Sequence, residues 1–306
     1  MQLRHVLAVV DFSCLDAGLP AVWRAAHLAR AHAAELALFC LVEPEDARPA
    51  SRFGATAPPA RARADLLHLA GGIREALGLV PAVVVGVGEE GRATLQACVR
   101  RADLLVTGAG PRSAAVRWAR AQGVPVLLAR MPPPHVHRSA LVVHEPGVAA
   151  LRPLLGAARW LCRPEGLQAL RLMDRRPGRL LQATDQPAPA LQALKQLAQQ
   201  AALHRLRDEL AAAGLRPEQG QVLPAPSPAA VQHAQRRHQA QLLVLGQRRA
   251  PRGWDWRDWL SPGLGRALVA AATGDLLLVP GGLPTAKEAR FALHQARCDG
   301  LLGTPR

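Results

Sequence analysis

Short runs of consecutive apolar residues alternate with helical periodicities along almost the whole chain. The first run, His5 to Val10, ends at Asp11, and a helical pattern follows from Ala21 to His32. Glu35 to Val42 is the second run. A helix is predicted from Ala62 to Leu77, a strand from Val80 to Val87, a helix from Glu89 to Arg101 and a strand from Asp103 to Gly108. A short helix and the strand Val124 to Ala129 complete the series. The same order then repeats. Ser139 to Val143 is a strand, Val148 to Cys162 a helix, Gly166 to Met173 a strand and Pro189 to Ala213 a long amphipathic helix. Gln219 to Pro224, Ser227 to Gln239 and Gln241 to Gly246 read as strand, helix and strand, with a helix over Ser261 to Thr273 and a last strand over Asp275 to Val279.

Apolar runs that do not alternate with polar residues are strands covered on both faces, which is the signature of parallel sheets. Regular βα alternation winds them with right-handed crossovers. The fold class is therefore α/β: two tandem, doubly wound, parallel five-stranded sheets related by a pseudo-twofold. Met131-Pro-Pro-Pro-His-Val-His137 is the linker, because a proline run is stiff and cannot enter a sheet interior. The expected domains are 1–131 and 138–283, followed by a helical tail over 284–306. A length of 306 residues suits two domains.

Composition refines this picture more than it redirects it. Hydrophobic residues make up 49% and charged residues 20%, enough apolar material to support packed cores. No apolar run approaches the roughly 18–20 residues that span a bilayer, so a cytoplasmic protein without membrane contact is expected. Net charge is +15, which suggests polyanions at first sight. Yet the chain holds two lysines (Lys195 and Lys287), one isoleucine, and neither tyrosine nor asparagine. That is the composition of a GC-rich coding sequence, which inflates arginine. No recognition motif accompanies the charge, so nucleic acid is disfavoured as a partner. The five cysteines (Cys14, Cys40, Cys98, Cys162 and Cys298) are odd in number and scattered, as small buried hydrophobes are.

The segments HVLAVVDFS, RADLLVTG, AQLLVLG, VPVLLAR, GDLLLVPG and VLPAPSPAAVQHA together resemble the universal stress protein family in its tandem form. They cover both halves. The resemblance implies the adenine-nucleotide alpha-hydrolase-like (HUP) fold and a stress-response role. It also implies pairing through strand 5, which a fused chain makes internal as a pseudo-dimer, with further homodimerisation open. Members that bind ATP carry G-x-x-G-x9-G-[ST] after strand 4, where glycines admit backbone N–H groups to phosphate and a helix N-terminus favours the charge. The ligand then sits beyond the carboxyl ends of the strands, at the switch point.

Each half keeps part of that motif. In the first, Asp11 and Ser13 follow strand 1 and Gly108-Ala-Gly110 follows strand 4. The first half is then 12 residues shorter than the second, because matched strands are offset by 138 positions at Gly108 and Gly246 but by 150 at Pro125 and Asp275. In the second, strand 1 ends in His144-Glu145. The following loop holds Gly246, Gly253, Ser261, Gly263 and Gly265, with Arg249 at the second motif glycine. These ten residues are the candidate cofactor-binding set: Asp11, Ser13, Gly108, Gly110, Gly246, Arg249, Gly253, Ser261, Gly263 and Gly265. No cofactor is expected to bind tightly, and ATP or another adenine nucleotide is the alternative.

Other features take plain structural readings. Ser261-Pro262 suits a helix N-cap and N1, although Ser261, Gly263 and Gly265 with Arg248, Arg249 and Arg252 would also suit phosphate. Trp254, Trp256 and Trp259 read as packing for that loop or as an interface anchor. His135, His137, His233 and His238 read as solvated, with no metal set around the first two. No catalytic arrangement is legible, so the expected activity is none, or weak ATP hydrolysis at most. The role expected is regulatory, through contacts with protein partners of unspecified identity. A nucleotide or phosphate sensor using the second-half loop is the rival reading.

Overall fold

The structure is a computed structural model that describes residues 2–11, 15–42, 59–108, 114–130, 137–145, 148–173, 188–224, 226–247, 267–269, 272 and 274–281. The first half contains β1 (His5–Val10), α1 (Leu15–His32), β2 (Glu35–Val42), α2 (Pro59–Leu77), β3 (Ala82–Val87), α3 (Gly88–Arg101), β4 (Leu104–Thr107), α4 (Ala114–Gln122) and β5 (Val126–Leu128). The second contains β6 (Ala140–His144), α5 (Leu151–Ala158), β7 (Leu167–Leu172), α6 (Ala188–Ala212), β8 (Gly220–Leu223), α7 (Pro228–Arg237), β9 (Leu242–Gln247) and β10 (Asp275–Pro280). Residues 267–269 are helical, inside the helix expected before β10. The expected tail and linker residues 131–136 lie outside the described residues.

All ten strands form a single sheet, ordered β3-β2-β1-β4-β5-β10-β9-β6-β7-β8. Within each half the pairing is parallel, and β5 and β10 join the halves antiparallel. Register shows how symmetric the junction is. Leu105 pairs with Val126 and Leu243 with Leu276, so Val126 and Leu276 occupy matching positions in the two halves. Across the junction Leu127 pairs with Leu277, while Val126 pairs with Leu278 and Leu128 with Leu276. Leu127 thus faces its own counterpart, and Val126 and Leu128 each face the counterpart of the other, the self-complementary pattern of a twofold contact.

The two sides of the sheet are covered by helices, and both apolar layers run across the junction. One layer collects Val6, Ala8, Leu127, Val142 and Leu277 under α1, α2, α5 and α6. The other collects Leu7, Leu105, Leu128, Leu243 and Leu276 under α3, α4 and α7. α1 lies close because its buried face is small: Ala21, Val22, Ala25, Ala26 and Ala29. Helix α7 starts where sequence chemistry places it, with Ser227 Oγ accepting from the Ala230 amide at 3.1 Å and Pro228 following.

Two expectations need correction. The helix expected over Val148 to Cys162 is only Leu151–Ala158, because Val148 to Ala150 run across the strand ends before the first turn forms. The amphipathic reading of α6 holds only for its C-terminal part. Leu206 and Leu210 are fully buried, but Leu194 and Leu197 are 44% and 60% exposed.

Candidate functional site

In a doubly wound sheet the ligand edge is where neighbouring strands end and their connections diverge in opposite directions. In the first half this edge lies at β1 and β4. Val9 pairs with Thr107, so Asp11 and Gly108 leave adjacent strands side by side. Asp11 is exposed and Gly108 half-buried. Asp103, at the other end of β4, acts only locally. Its Oδ2 accepts from the Arg4 and His5 amides at 2.8 and 2.9 Å, fixing the register of β1 against β4. In the second half Gln241 does the same for Arg138, at 2.8 Å.

That shared register corrects the comparison of the two halves. The Asp103 amide donates to His5 O and the Gln241 amide to Ser139 O. His5 therefore matches Ser139, Val10 matches His144, and Asp11 matches Glu145 rather than His144. The second half keeps an acidic residue at the end of its first strand.

The second-half edge is packed with backbone. Val148 N donates to Glu145 O at 3.1 Å, folding the connection after β6 back over β9. A side chain on Gly246 would place its Cβ 2.8 Å from Ala149 Cβ. Gly281, just past β10, is pressed against Val148 O on one side, and on the other a Cβ there would lie 2.7 Å from Gln247 O. Close approach of this connection is sufficient reason for glycine at 246 and 281. On the opposite face of β9, Gln247 is 1% exposed, and neither its Oε1 nor its Nε2 has a hydrogen-bond partner among the described residues.

His144 points to the α5 and α6 side, as Ala140 and Val142 do. It is buried, and its Nδ1 has no hydrogen-bond partner among the described residues. Its pKa is pushed down to about 4, mainly by burial and further by the Arg171 guanidinium on the neighbouring strand; a backbone contact from Ala149 partly opposes both. Arg171 pairs with Glu209 of α6 at 3.0 Å. Because folding lowers this pKa from its ordinary value of 6.5, the unfolded chain takes up a proton first as pH falls. The stabilisation is complete above roughly pH 6.5 and is lost down to about pH 4, amounting to about 3 kcal/mol in all. The first half carries Val10 at the matching position. His144→Val should therefore flatten the acid limb of a urea-denaturation profile between those two pH values, leaving the neutral limb equal to wild type or better.

Of the candidate set, Asp11, Gly108 and Gly246 are placed as above. Ser13, Gly110, Arg249, Gly253, Ser261, Gly263 and Gly265 lie outside the described residues, as do His135 and the tryptophans Trp254, Trp256 and Trp259. Cys40 and Cys162 are buried and Cys98 half-buried; burial pushes the Cys40 and Cys162 thiols up to about 11. His233 is exposed, whereas His238 is half-buried and its pKa is lowered by burial and by Arg237.

His137 departs furthest from expectation. It is not a solvated linker residue but 2% exposed, with Nε2 at 2.8 Å from Asp275 Oδ2. Its backbone bridges to Cys162 beside β7. Arg24 of α1 places Nε 3.2 Å from the same Oδ2, with both side chains buried. Burial pulls the Arg24 guanidinium below its ordinary pKa, and Asp275 opposes that pull. Sequence reasoning misses this cluster, although one signal is visible: a charged residue, Asp275, opening an otherwise apolar strand.

Among the described residues no helix is long and apolar enough to cross a membrane. No protein-family model matches the chain, and no curated protein sequence matches it either. Solved structures do. A universal stress protein from Archaeoglobus fulgidus superposes with a TM-score of 0.59 at 12% identity, covering 92% of this chain and 100% of that one. A functionally unknown protein from Pseudomonas aeruginosa PAO1 gives 0.56 at 15% identity, and a putative universal stress protein from Pseudomonas aeruginosa UCBPP-PA14 gives 0.53 at 15%. Both cover 91% of this chain and 93% of their own. Across nine-tenths of its length, the chain has the universal stress protein fold.

Proposed function

We propose that this chain is a tandem universal stress protein acting in a stress response through protein contacts, with ATP binding weak or lost. The observation that carries this reading is the second-half strand edge. There Val148 and Ala149 lie against Gly246 and Gly281, in space that a nucleotide at a switch point would need. The 12-residue deficit after Gly108 argues the same for the first half, since it removes the stretch in which phosphate-binding glycines would stand. The strand orders of the halves mirror one another across β5 and β10, which supports an internal pseudo-dimer.

Isothermal titration with ATP and Mg²⁺ tests the proposal. The expected result is no saturable binding up to millimolar nucleotide; micromolar affinity would overturn it. One observation favours a second reading, a sensor of a nucleotide or other phosphate compound using the loop after β9. Gln247 holds a buried carboxamide whose donor and acceptor are both unmet among the described residues, an arrangement that is costly without a partner. Under that reading ATP or AMP binds, and Gln247→Leu abolishes the heat.

A further inference from the structure

We propose that Asp275 is a latch that fastens the second half to the first by holding Arg130 and His137, the described residues on either side of the linker. The backbone amide of Arg130, the last described residue before the linker, donates to Asp275 Oδ1 at 2.8 Å. His137, the first described residue after it, brings Nε2 to Oδ2 at 2.8 Å. Arg130 and His137 are thus held at the two oxygens of one carboxylate that is fully buried.

A third group ties the same carboxylate to the first half: Arg24 on α1, with Nε 3.2 Å from Oδ2. The Arg130 side chain adds a fourth tie, donating to Ala272 O and, at 3.0 Å, to Val269 O, just ahead of β10. The α1 terminus reaches across as well, with His32 Nε2 at 2.8 Å from Trp160 O.

Two features separate this arrangement from ordinary strand packing. It breaks the pseudo-symmetry, since the position matching Asp275 in the first half is Pro125, which offers no side-chain acceptor. It also borders the candidate edge of the first half. Val9, Thr107, Leu128 and Leu276 form one row across four strands, and Asp275 lies one step beyond Leu276, towards the end of the sheet where Asp11 and Gly108 emerge. β5 contributes only three residues to the junction. A buried, multiply bonded carboxylate beside it holds the junction in one register and ties Arg130 and His137 to one place.

The alternative is that Asp275 only neutralises Arg24. Hydrogen exchange on the full chain separates the two, read on peptides spanning 129–138 with peptides from β2 and β7 as internal controls. In the double variant Arg24→Leu/Asp275→Leu no buried charge is left unpaired. A latch predicts exchange in 129–138 at least tenfold faster than wild type with the controls unchanged, whereas wild-type exchange there would overturn it. Arg24→Leu alone keeps both linker bonds and should exchange within about twofold of wild type; acceleration equal to the double variant would also overturn the latch. Should the double variant fail to fold, His137→Leu removes one anchor without touching either charge. At least threefold faster exchange is then expected, and no change would contradict the proposal.

Discussion

Leu277→Asp should abolish cooperative folding of both halves together. Leu277 is fully buried at the centre of the β5–β10 junction, paired with Leu127, in an apolar layer continuous from α1 to α6. The change deletes a packed leucine, worth about 2–5 kcal/mol, and inserts a carboxylate with no partner, which adds several more. The sum is comparable to the whole stability of an ordinary domain, about 5–15 kcal/mol. Circular dichroism and urea denaturation should show loss of a single cooperative transition. Leu277→Met, which conserves volume, should cost less than about 1.5 kcal/mol and serves as the control. A Leu277→Asp protein with wild-type stability would mean that the halves do not share this junction.

The second large effect belongs to the buried ion pair. Among the described residues, Asp275→Leu leaves the buried Arg24 guanidinium, 3% exposed, with no counter-ion, and its Nη2 already lacks a hydrogen-bond partner. Breaking a buried pair from one side costs about 3–5 kcal/mol, whereas replacing both members with apolar residues is often neutral. Arg24→Leu/Asp275→Leu should therefore recover most of the stability lost in Asp275→Leu. The coupling read from the double-mutant cycle should exceed about 2 kcal/mol. Additive effects of the two substitutions would show that the charges do not interact. Stability and linker exchange are expected to part company here, since the double variant regains the first and not the second.

Much of the fold is legible in the sequence because its strands are buried on both faces. Runs such as Glu35 to Val42 and Leu242 to Gln247 need no partner to be recognised, and each lies within two residues of its expected span. What sequence does not supply is register. Aligning strand 1 of the two halves by their last apolar residue matches Asp11 to His144, whereas hydrogen bonds from Asp103 and Gln241 shift the match to Glu145. His137 escapes a sequence reading for a related reason. Its partner Asp275 stands 138 positions away, and proline-flanked histidines look solvated until the chain closes. Leu194 and Leu197 fail in the opposite sense. Helical spacing identifies an apolar stripe, but α6 outlasts the part of the sheet that covers Leu206 and Leu210. At Gly246, packing against Ala149 by itself accounts for a glycine, whatever the motif implies.

A crystal structure grown with millimolar ATP and Mg²⁺ probes the shared sheet and the filled strand edge at once. It should show β5 and β10 paired through Leu127 and Leu277 in one ten-stranded sheet, with Val148 and Ala149 seated on Gly246 and no adenosine against either half. Density for a nucleotide beyond β1 and β4, or beyond β6 and β9, would contradict both the packed edge and the loss of ATP binding.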